Sequence, residues 1–263
     1  MTIVDACLRD GRGGSPTVVL PETGLSDEER RAIPEQLRTS HAVFVDIGET
    51  EVALRFFTST GELPSCGHGT VAALAYLADR FGDRDFQLRT RDRSFLGRAD
   101  SGRYLFDAGQ VQLREPASGE CDGVLAALGA TPVAGLCVAS VGRERLLVPV
   151  ATPVVLAGLT PDLDRLRYAC DHLGLLGCYV YCQSPPGRYA ARMFAPSIGV
   201  PEDIANANST SCLAAYLADR SGGDVTLTVD MGDALGVPAA IDALAERTAT
   251  GPRVWTGGAA VVR

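Results

Sequence analysis

The chain alternates between two hydrophobic periods, and the places where the period changes outline its elements. His41-Ala-Val-Phe-Val-Asp46 and Glu51-Val-Ala-Leu-Arg-Phe-Phe57 are β-branched and aromatic runs separated by a turn at Gly48, the pattern of a hairpin. Cys178-Tyr-Val-Tyr-Cys182 and Tyr189-Ala-Ala-Arg-Met-Phe194 flank Ser184-Pro-Pro-Gly187 and predict a second hairpin. Within it Cys178 and Cys182 share one strand face, because side chains repeat every two residues. Between the hairpins the period lengthens. Over 71–80, Val71, Leu74, Tyr76 and Leu77 stand among alanines and Gly82 follows, predicting a well-buried helix. Leu213 to Arg220 repeats that pattern and stops at Gly222. Ser26 and Thr160 are the expected N-caps of two further helices.

The elements recur as well as alternate. Ala75-Tyr-Leu-Ala-Asp-Arg80 is identical to Ala215-Tyr-Leu-Ala-Asp-Arg220, an offset of 140 residues. Upstream, Arg55 to Pro64 matches Arg192 to Pro201 at an offset of 137, and Val18-Val-Leu20 matches Val154-Val-Leu156 at 136. A duplicated unit of roughly 130 residues follows, and two similar lobes are its simplest architecture. The expected fold class is α+β, with each lobe a mixed, largely antiparallel sheet wrapped around its central helix. The predicted divisions are 1–115 for the N-terminal lobe, 116–250 for the C-terminal lobe, and 251–263 as a closing strand that returns to the first lobe.

Composition narrows the function. With 46% hydrophobic and 21% charged residues among 263, the chain can bury a substantial core. A formal net charge of −8 opposes binding to nucleic acid, whose phosphates require a cationic surface. All 24 cationic side chains are arginine, so Schiff-base catalysis, pyridoxal attachment and the phosphate-loop lysine are excluded. The longest apolar stretch, Leu146 to Leu159, is broken by Pro149, Thr152 and Pro153 and is too short for a membrane span. No basic, apolar export signal opens the chain, so the expected location is the cytoplasm, with the eight cysteines reduced. His41, His68 and His172 form no metal-ligand spacing, and no metal is expected. His172, the Glu28 to Arg31 cluster, and Arg55 with Arg192 read as surface or structural groups.

Chemistry concentrates in Ser65-Cys66-Gly67-His68-Gly69-Thr70, at the mouth of the first alanine-rich helix. Glycines there admit a close ligand, and unpaired N–H groups at a helix start bind a carboxylate. The helix dipole favours a thiolate at Cys66, usable as a base near neutral pH. At the 140-residue offset the mate of Cys66 is Asn206, so there is no second thiol. Asp203 is the nearest second acid/base.

The Cys66 to Thr70 run resembles the first thiol motif of proline racemases. The rest resembles the phenazine-biosynthesis PhzF-like isomerases, and both groups belong to the diaminopimelate-epimerase superfamily. The resemblance is carried by Asp5 through Gly14-Ser15-Pro16, Ser40 to Val45, Gly67-His68, Arg192 to Asp203 leading into Leu213-Ala-Ala-Tyr-Leu, and Val254-Trp-Thr-Gly-Gly258. It implies two lobes with substrate between the two helix starts, and no cofactor. Two departures stand out. Where the family carries a glutamate after the serine of Asn-Leu-Ser-Glu, this chain has Arg38-Thr-Ser-His41; its Asp-Pro-Ala-Thr-Gly-Ser becomes Asp203-Ile-Ala-Asn-Ala-Asn208.

The expected activity is therefore a cofactor-independent isomerase that moves a proton and a double bond in a small carboxylate-bearing intermediate of secondary metabolism. Cys66, His41, Asp203 and His68 are the expected catalytic groups. Ser15, Gly67, Gly69, Thr70, Asn206, Asn208 and Ser209 are the expected substrate contacts. A one-thiol amino-acid epimerase using Cys66 and Asp203, or a non-catalytic small-ligand binder, are the alternatives. The expected partner is a small-molecule carboxylate, with neither nucleic acid nor membrane, and the assembly is compatible with a homodimer.

Overall fold

The alternating runs form strands where their pattern places them, and the two halves repeat one another. The computed structural model describes residues 1–263. The first half contains β1 (Thr2–Leu8), β2 (Ser15–Pro21), α1 (Asp27–Leu37), β3 (His41–Ile47), β4 (Val52–Phe57) and β5 (Glu62–Leu63). It continues with α2 (Gly67–Phe81), β6 (Asp85–Arg89), β7 (Ser94–Asp100) and β8 (Arg103–Gln110). The second half contains β9 (Gln112–Arg114), α3 (Asp122–Leu128), β10 (Cys137–Ser140), β11 (Glu144–Pro149), α4 (Pro153–Ala157) and α5 (Leu163–Leu173). Then come β12 (Cys178–Gln183), β13 (Arg188–Ala195), β14 (Val200–Asp203), α6 (Ala207–Ser221), β15 (Val225–Met231), β16 (Ala239–Thr248) and β17 (Gly251–Val262). No helix is long and apolar enough to cross a membrane.

Strand pairing follows the same rule twice. β1 and β2 are antiparallel, β2 and β3 parallel, β3 and β4 antiparallel, β4 and β6 parallel. β10 to β13 and β15 repeat this sequence of senses. Each parallel step requires a crossover. The β2-to-β3 step is made with α1 and the β11-to-β12 step with α4 and α5, while α2 and α6 make the β4-to-β6 and β13-to-β15 steps. The sheet of the first half closes where β17 pairs with β1, and the halves join where β17 also pairs with β8. The seam is tight: a Cβ at Gly257 would lie 1.9 Å from the Tyr104 carbonyl oxygen, so only glycine fits there.

The alanine-rich helices begin earlier than the apolar period suggests, at Gly67 and Ala207, and end at Gly82 and Gly222 as predicted. α2 packs on β17, β1 and β2, and α6 on β16, β17 and β15. From Gly67 to Leu77 every residue of α2 is buried, which is why small alanines alternate with leucine on all sides of it. Both helices belong to one core of 48 buried residues. A second core of 17 residues lies under α3, α4 and α5 on the outer face of β10 to β13, with only Val18, Ala42, Phe44 and Phe57 as its counterpart beneath α1.

Three expectations are corrected. Val154-Val-Leu156 is not the partner of Val18-Val-Leu20: it is the helix α4, opened by the Thr152 cap and Pro153, and the structural mate of β2 is β11. Thr160 caps nothing; α5 starts three residues later, with the Asp162 carboxylate accepting from the Arg165 N–H at 3.1 Å. Ser26 does cap α1, in a reciprocal box with Glu29 worth about 1 kcal/mol. Within the Glu28 to Arg31 cluster, however, Arg30 is not solvated. It is 5% exposed, with its guanidinium over Phe44 at 5.0 Å and Phe57 at 5.7 Å and paired to Glu22.

The starts of α2 and α6 touch: a Cβ at Gly67 would lie 2.6 Å from the Cβ of Ala207. Gly67→Ala is expected to cost about 1–3 kcal/mol by overpacking. Adding Ala207→Gly should return most of that loss. Urea denaturation of the two single variants and the double variant measures the coupling, and additive losses would show that the helix starts do not abut.

Candidate active site

Cys66 is the N-cap residue of α2, extended at φ −146° and ψ 114°, and its side chain makes no capping hydrogen bond. The Thr70 N–H and hydroxyl donate to the Cys66 carbonyl, at 2.9 and 2.8 Å, and pin the backbone of this turn. The N–H groups of Gly67, His68 and Gly69 make no hydrogen bond within the chain. Gly69 clears space for the sulfur, since a Cβ there would approach Sγ to 3.0 Å. The thiol is therefore free of local backbone duties, held at the positive end of a buried helix.

Two imidazoles from different elements converge on it. His68 lies in the first turn of α2, and His41 at the first position of β3, anchored by Ser40, whose hydroxyl meets that of Ser15 at 2.9 Å. His68 Nε2 is 3.5 Å from Cys66 Sγ and 2.8 Å from His41 Nδ1, and the rings meet edge to face at 4.3 Å. All three residues are buried. His68 Nδ1 lies 3.1 Å from the Ala205 carbonyl oxygen. A carbonyl only accepts, so Nδ1 carries a proton and Nε2 is the titrating nitrogen, aimed at both the sulfur and His41.

The electrostatics make this an ion pair. Burial pushes the Cys66 thiol up, but the charges of His41 and His68 and their hydrogen bonds outweigh it and bring the group down to about 5. Burial pulls His68 down, yet the Cys66 charge and hydrogen bond, Asp203 and the Ala205 carbonyl raise it to about 9. Between these values a thiolate faces an imidazolium. The three donor atoms lie within 4.8 Å of one another, a soft set by type. The 2.8 Å spacing of the two nitrogens is nevertheless that of a shared proton; two imidazoles on a tetrahedral zinc, each about 2.05 Å from it, stand roughly 3.3 Å apart.

The opposite lobe presents the matching helix start. Asn206, the mate of Cys66, is the N-cap of α6: its side-chain oxygen accepts from the Ser209 N–H at 2.9 Å and its amide donates to Asp203 at 2.9 Å. Asn208 reaches across to the Ser65 hydroxyl at 3.4 Å. The structure thus brings Cys66, His41, His68, Gly67, Asn206, Asn208 and Asp203 to one seam. Ser15, Thr70 and Ser209 have side chains turned away from it: Ser15 is fully buried against Ser40, Thr70 bonds its own helix, and the Ser209 hydroxyl faces Arg145 and Met193. Arg55 and Arg192 are structural, each gripping a glutamate, Glu62 and Glu202. His172 is exposed on α5 and Cys212 is buried core. All eight cysteines are free.

Comparison with known proteins agrees with this architecture. A family model described as phenazine biosynthesis-like protein (PhzC-PhzF) matches residues 7–263. A Deinococcus radiodurans protein named an uncharacterized isomerase is 31% identical over 277 residues, covering 96% of this chain and 88% of that one. Among solved structures, a Bacillus anthracis phenazine biosynthesis protein of the PhzF family superposes with a TM-score of 0.85 at 18% identity, over 99% of this chain and 95% of that one. A hydroxyproline epimerase from Agrobacterium vitis superposes at a TM-score of 0.62 and 11% identity, over 100% and 90%.

Because the Cys66 charge is what lifts His68, Cys66→Ser is expected to lower the His68 titration from about 9 toward or below the ordinary histidine value of about 6.5. Histidine-selective NMR titration of wild type and variant measures it. A His68 that titrates unchanged in the serine variant would contradict the ion pair.

Proposed function

The chain belongs to the phenazine biosynthesis-like family of isomerases, and we propose that it relocates a proton and a double bond in a small, conjugated carboxylate without a cofactor. The observation that carries this reading is the position of His68 Nε2, within reach of a thiolate on one side and of His41 on the other. Acid and base are then both supplied by the chain itself.

The steps balance as follows. The Cys66 thiolate takes a proton from an acidic C–H vinylogous to the carboxylate, and the electron pair of that bond moves into the conjugated system as a dienolate. The unpaired N–H groups of Gly67, His68 and Gly69 stabilise the developing charge. The His68 imidazolium delivers its Nε2 proton to the far carbon, which completes the double-bond shift and leaves a neutral thiol beside a neutral imidazole. Transfer of the thiol proton back to Nε2, along the 3.5 Å contact, restores the pair. His41 accepts from Nε2–H between turnovers and holds it in register.

One-thiol epimerisation would need the Asp203 carboxylate free on the opposite face of the reacting carbon. That carboxylate holds the Asn206 amide at 2.9 Å, which favours isomerisation. We place the substrate among the biosynthetic intermediates of secondary metabolism and the enzyme in the cytoplasm, with a homodimer as its assembly.

In D2O with a panel of small unsaturated carboxylates, NMR should find deuterium at a vinylogous carbon of the accepted compound. Deuterium at an α-carbon with inversion would indicate an epimerase, and incorporation nowhere a binder. The pH dependence of kcat/KM should be a bell. Its acid limb lies near 5, below which the Cys66 base is protonated, and its basic limb near 9, above which the His68 acid is lost. His41→Gln removes one of the two imidazoles that hold the thiol down, so the acid limb should move up. Cys66→Ser should lose about 10²–10⁴-fold in rate. An unmoved acid limb in His41→Gln would remove His41 from the mechanism.

A further inference from the structure

Away from the seam, the outer core of the second lobe holds four of the eight cysteines: Cys121, Cys170, Cys178 and Cys182. Two of them meet. Cys170 Sγ on α5 lies 3.8 Å from Cys178 Sγ at the first position of β12, and both residues are fully buried. A disulfide needs about 2.05 Å between its sulfurs, and small side-chain rotations close a gap of this size. The chain's one cluster of three close metal-ligating donors is at Cys66, so the pair has no third ligand with which to hold a metal.

The duplication shows that this contact is specific to the second lobe. Val19 pairs with Val43 in the first lobe as Leu147 pairs with Tyr179 in the second, and all four belong to the inner core. Cys178 is therefore the counterpart of Ala42, which packs beneath α1 with Val18, Phe44 and Phe57 and no thiol. A crossover helix needs only apolar filling at that place, and the second lobe fills it with two sulfurs in contact.

The two thiols sit on supports of unequal stiffness. β12 begins locked to its neighbours. The Leu176 N–H donates to the Glu144 carbonyl at 2.7 Å, the Gly177 carbonyl accepts from Leu146 at 3.0 Å, and a Cβ at Gly177 would lie 2.1 Å from the Phe194 carbonyl oxygen. α5, by contrast, buries only Leu166 and Cys170 among its 11 residues. A helix with two buried anchors opens locally at low cost, and each opening of its last turns uncovers Cys170. The hydrogen bond from Cys178 also holds the Cys170 thiol below its ordinary value, against burial.

We propose that Cys170 and Cys178 are an oxidative modification site, at which a peroxide converts the two thiols into a reversible disulfide, with Cys170 reacting first. The Cys170 thiolate attacks one peroxide oxygen, the O–O bond breaks, and hydroxide leaves with its electron pair and takes up a proton. The Cys178 thiolate then attacks the sulfenic sulfur of Cys170, the S–O bond breaks, and the second oxygen leaves as water. Two thiols and one hydrogen peroxide give one disulfide and two waters, and excess small thiol reverses the bond by exchange. The site stands apart from the isomerase reading, because both sulfurs lie in the outer core and Cys66 in the inner one.

The test treats folded wild type and Cys66→Ser with hydrogen peroxide, then denatures them, blocks free thiols with iodoacetamide and cleaves after arginine. Tyr168 to Arg188 is released as one peptide carrying Cys170, Cys178 and Cys182. In both proteins that peptide is expected to lose two hydrogens and to carry the label on Cys182 alone, and to take up all three labels after dithiothreitol. Cys178→Ala, which restores the residue of the first lobe, should form no cross-link, and dimedone should trap its Cys170 as the sulfenic acid. Should that variant fail to fold, dimedone trapping at Cys170 during the first seconds of wild-type oxidation replaces it. Full labelling of all three cysteines after peroxide overturns the proposal, as does a bond from Cys182 to either partner. Dimedone on Cys178 in place of Cys170 also overturns it.

Discussion

Everything in the molecule depends on two helix starts pressed together inside the protein. Gly67 and Ala207 leave no room between α2 and α6, so two positive helix ends share one buried seam. Like ends in a low-dielectric interior repel unless an anion stands between them. Cys66 meets that demand on one side as a thiolate, and the two imidazoles that stabilise it are brought in by β3 and by the helix itself. The chemistry is thus a consequence of the packing: Cys137 and Cys212, thiols without such imidazole partners, are pushed up by burial.

Duplication supplies the geometry and divergence supplies the polarity. The two halves keep the same order of parallel and antiparallel strands, and their central helices carry the same Ala-Tyr-Leu-Ala-Asp-Arg segment. A perfectly symmetric seam would hold equal groups on both faces. Instead Cys66 faces Asn206, and Thr17 corresponds to Arg145. The first lobe places a thiol and two imidazoles at its helix start, while the second places an amide and the Asp203 carboxylate at its own.

Much of this is legible in the sequence because local periodicity and the repeat carry it. The hairpins, the ends of both alanine-rich helices and the equivalence of Cys66 with Asn206 as caps follow from spacing alone. Three features escape for physical reasons. Val154-Val-Leu156 is too short an apolar run to separate strand from helix, although Thr152-Pro153 before it is a helix-opening signal. Arg30 and Arg145 look like surface charges because a pattern records charge and not what covers it; β11, in a parallel pair buried on both faces, offers no alternation to mark an inward arginine. The contact of His41 with His68 joins residues 27 apart through a crossover strand, and only the closed sheet brings them to 2.8 Å.

The central claim is that Cys66 is a buried thiolate held by two imidazoles, and the ultraviolet thiolate absorbance of the folded protein across the acidic range reads it most directly. The account predicts one thiolate that appears near pH 5 in wild type, is absent in Cys66→Ser, and appears only at higher pH in His68→Gln. Wild type without thiolate absorbance until the ordinary cysteine range near 8.5 would contradict it.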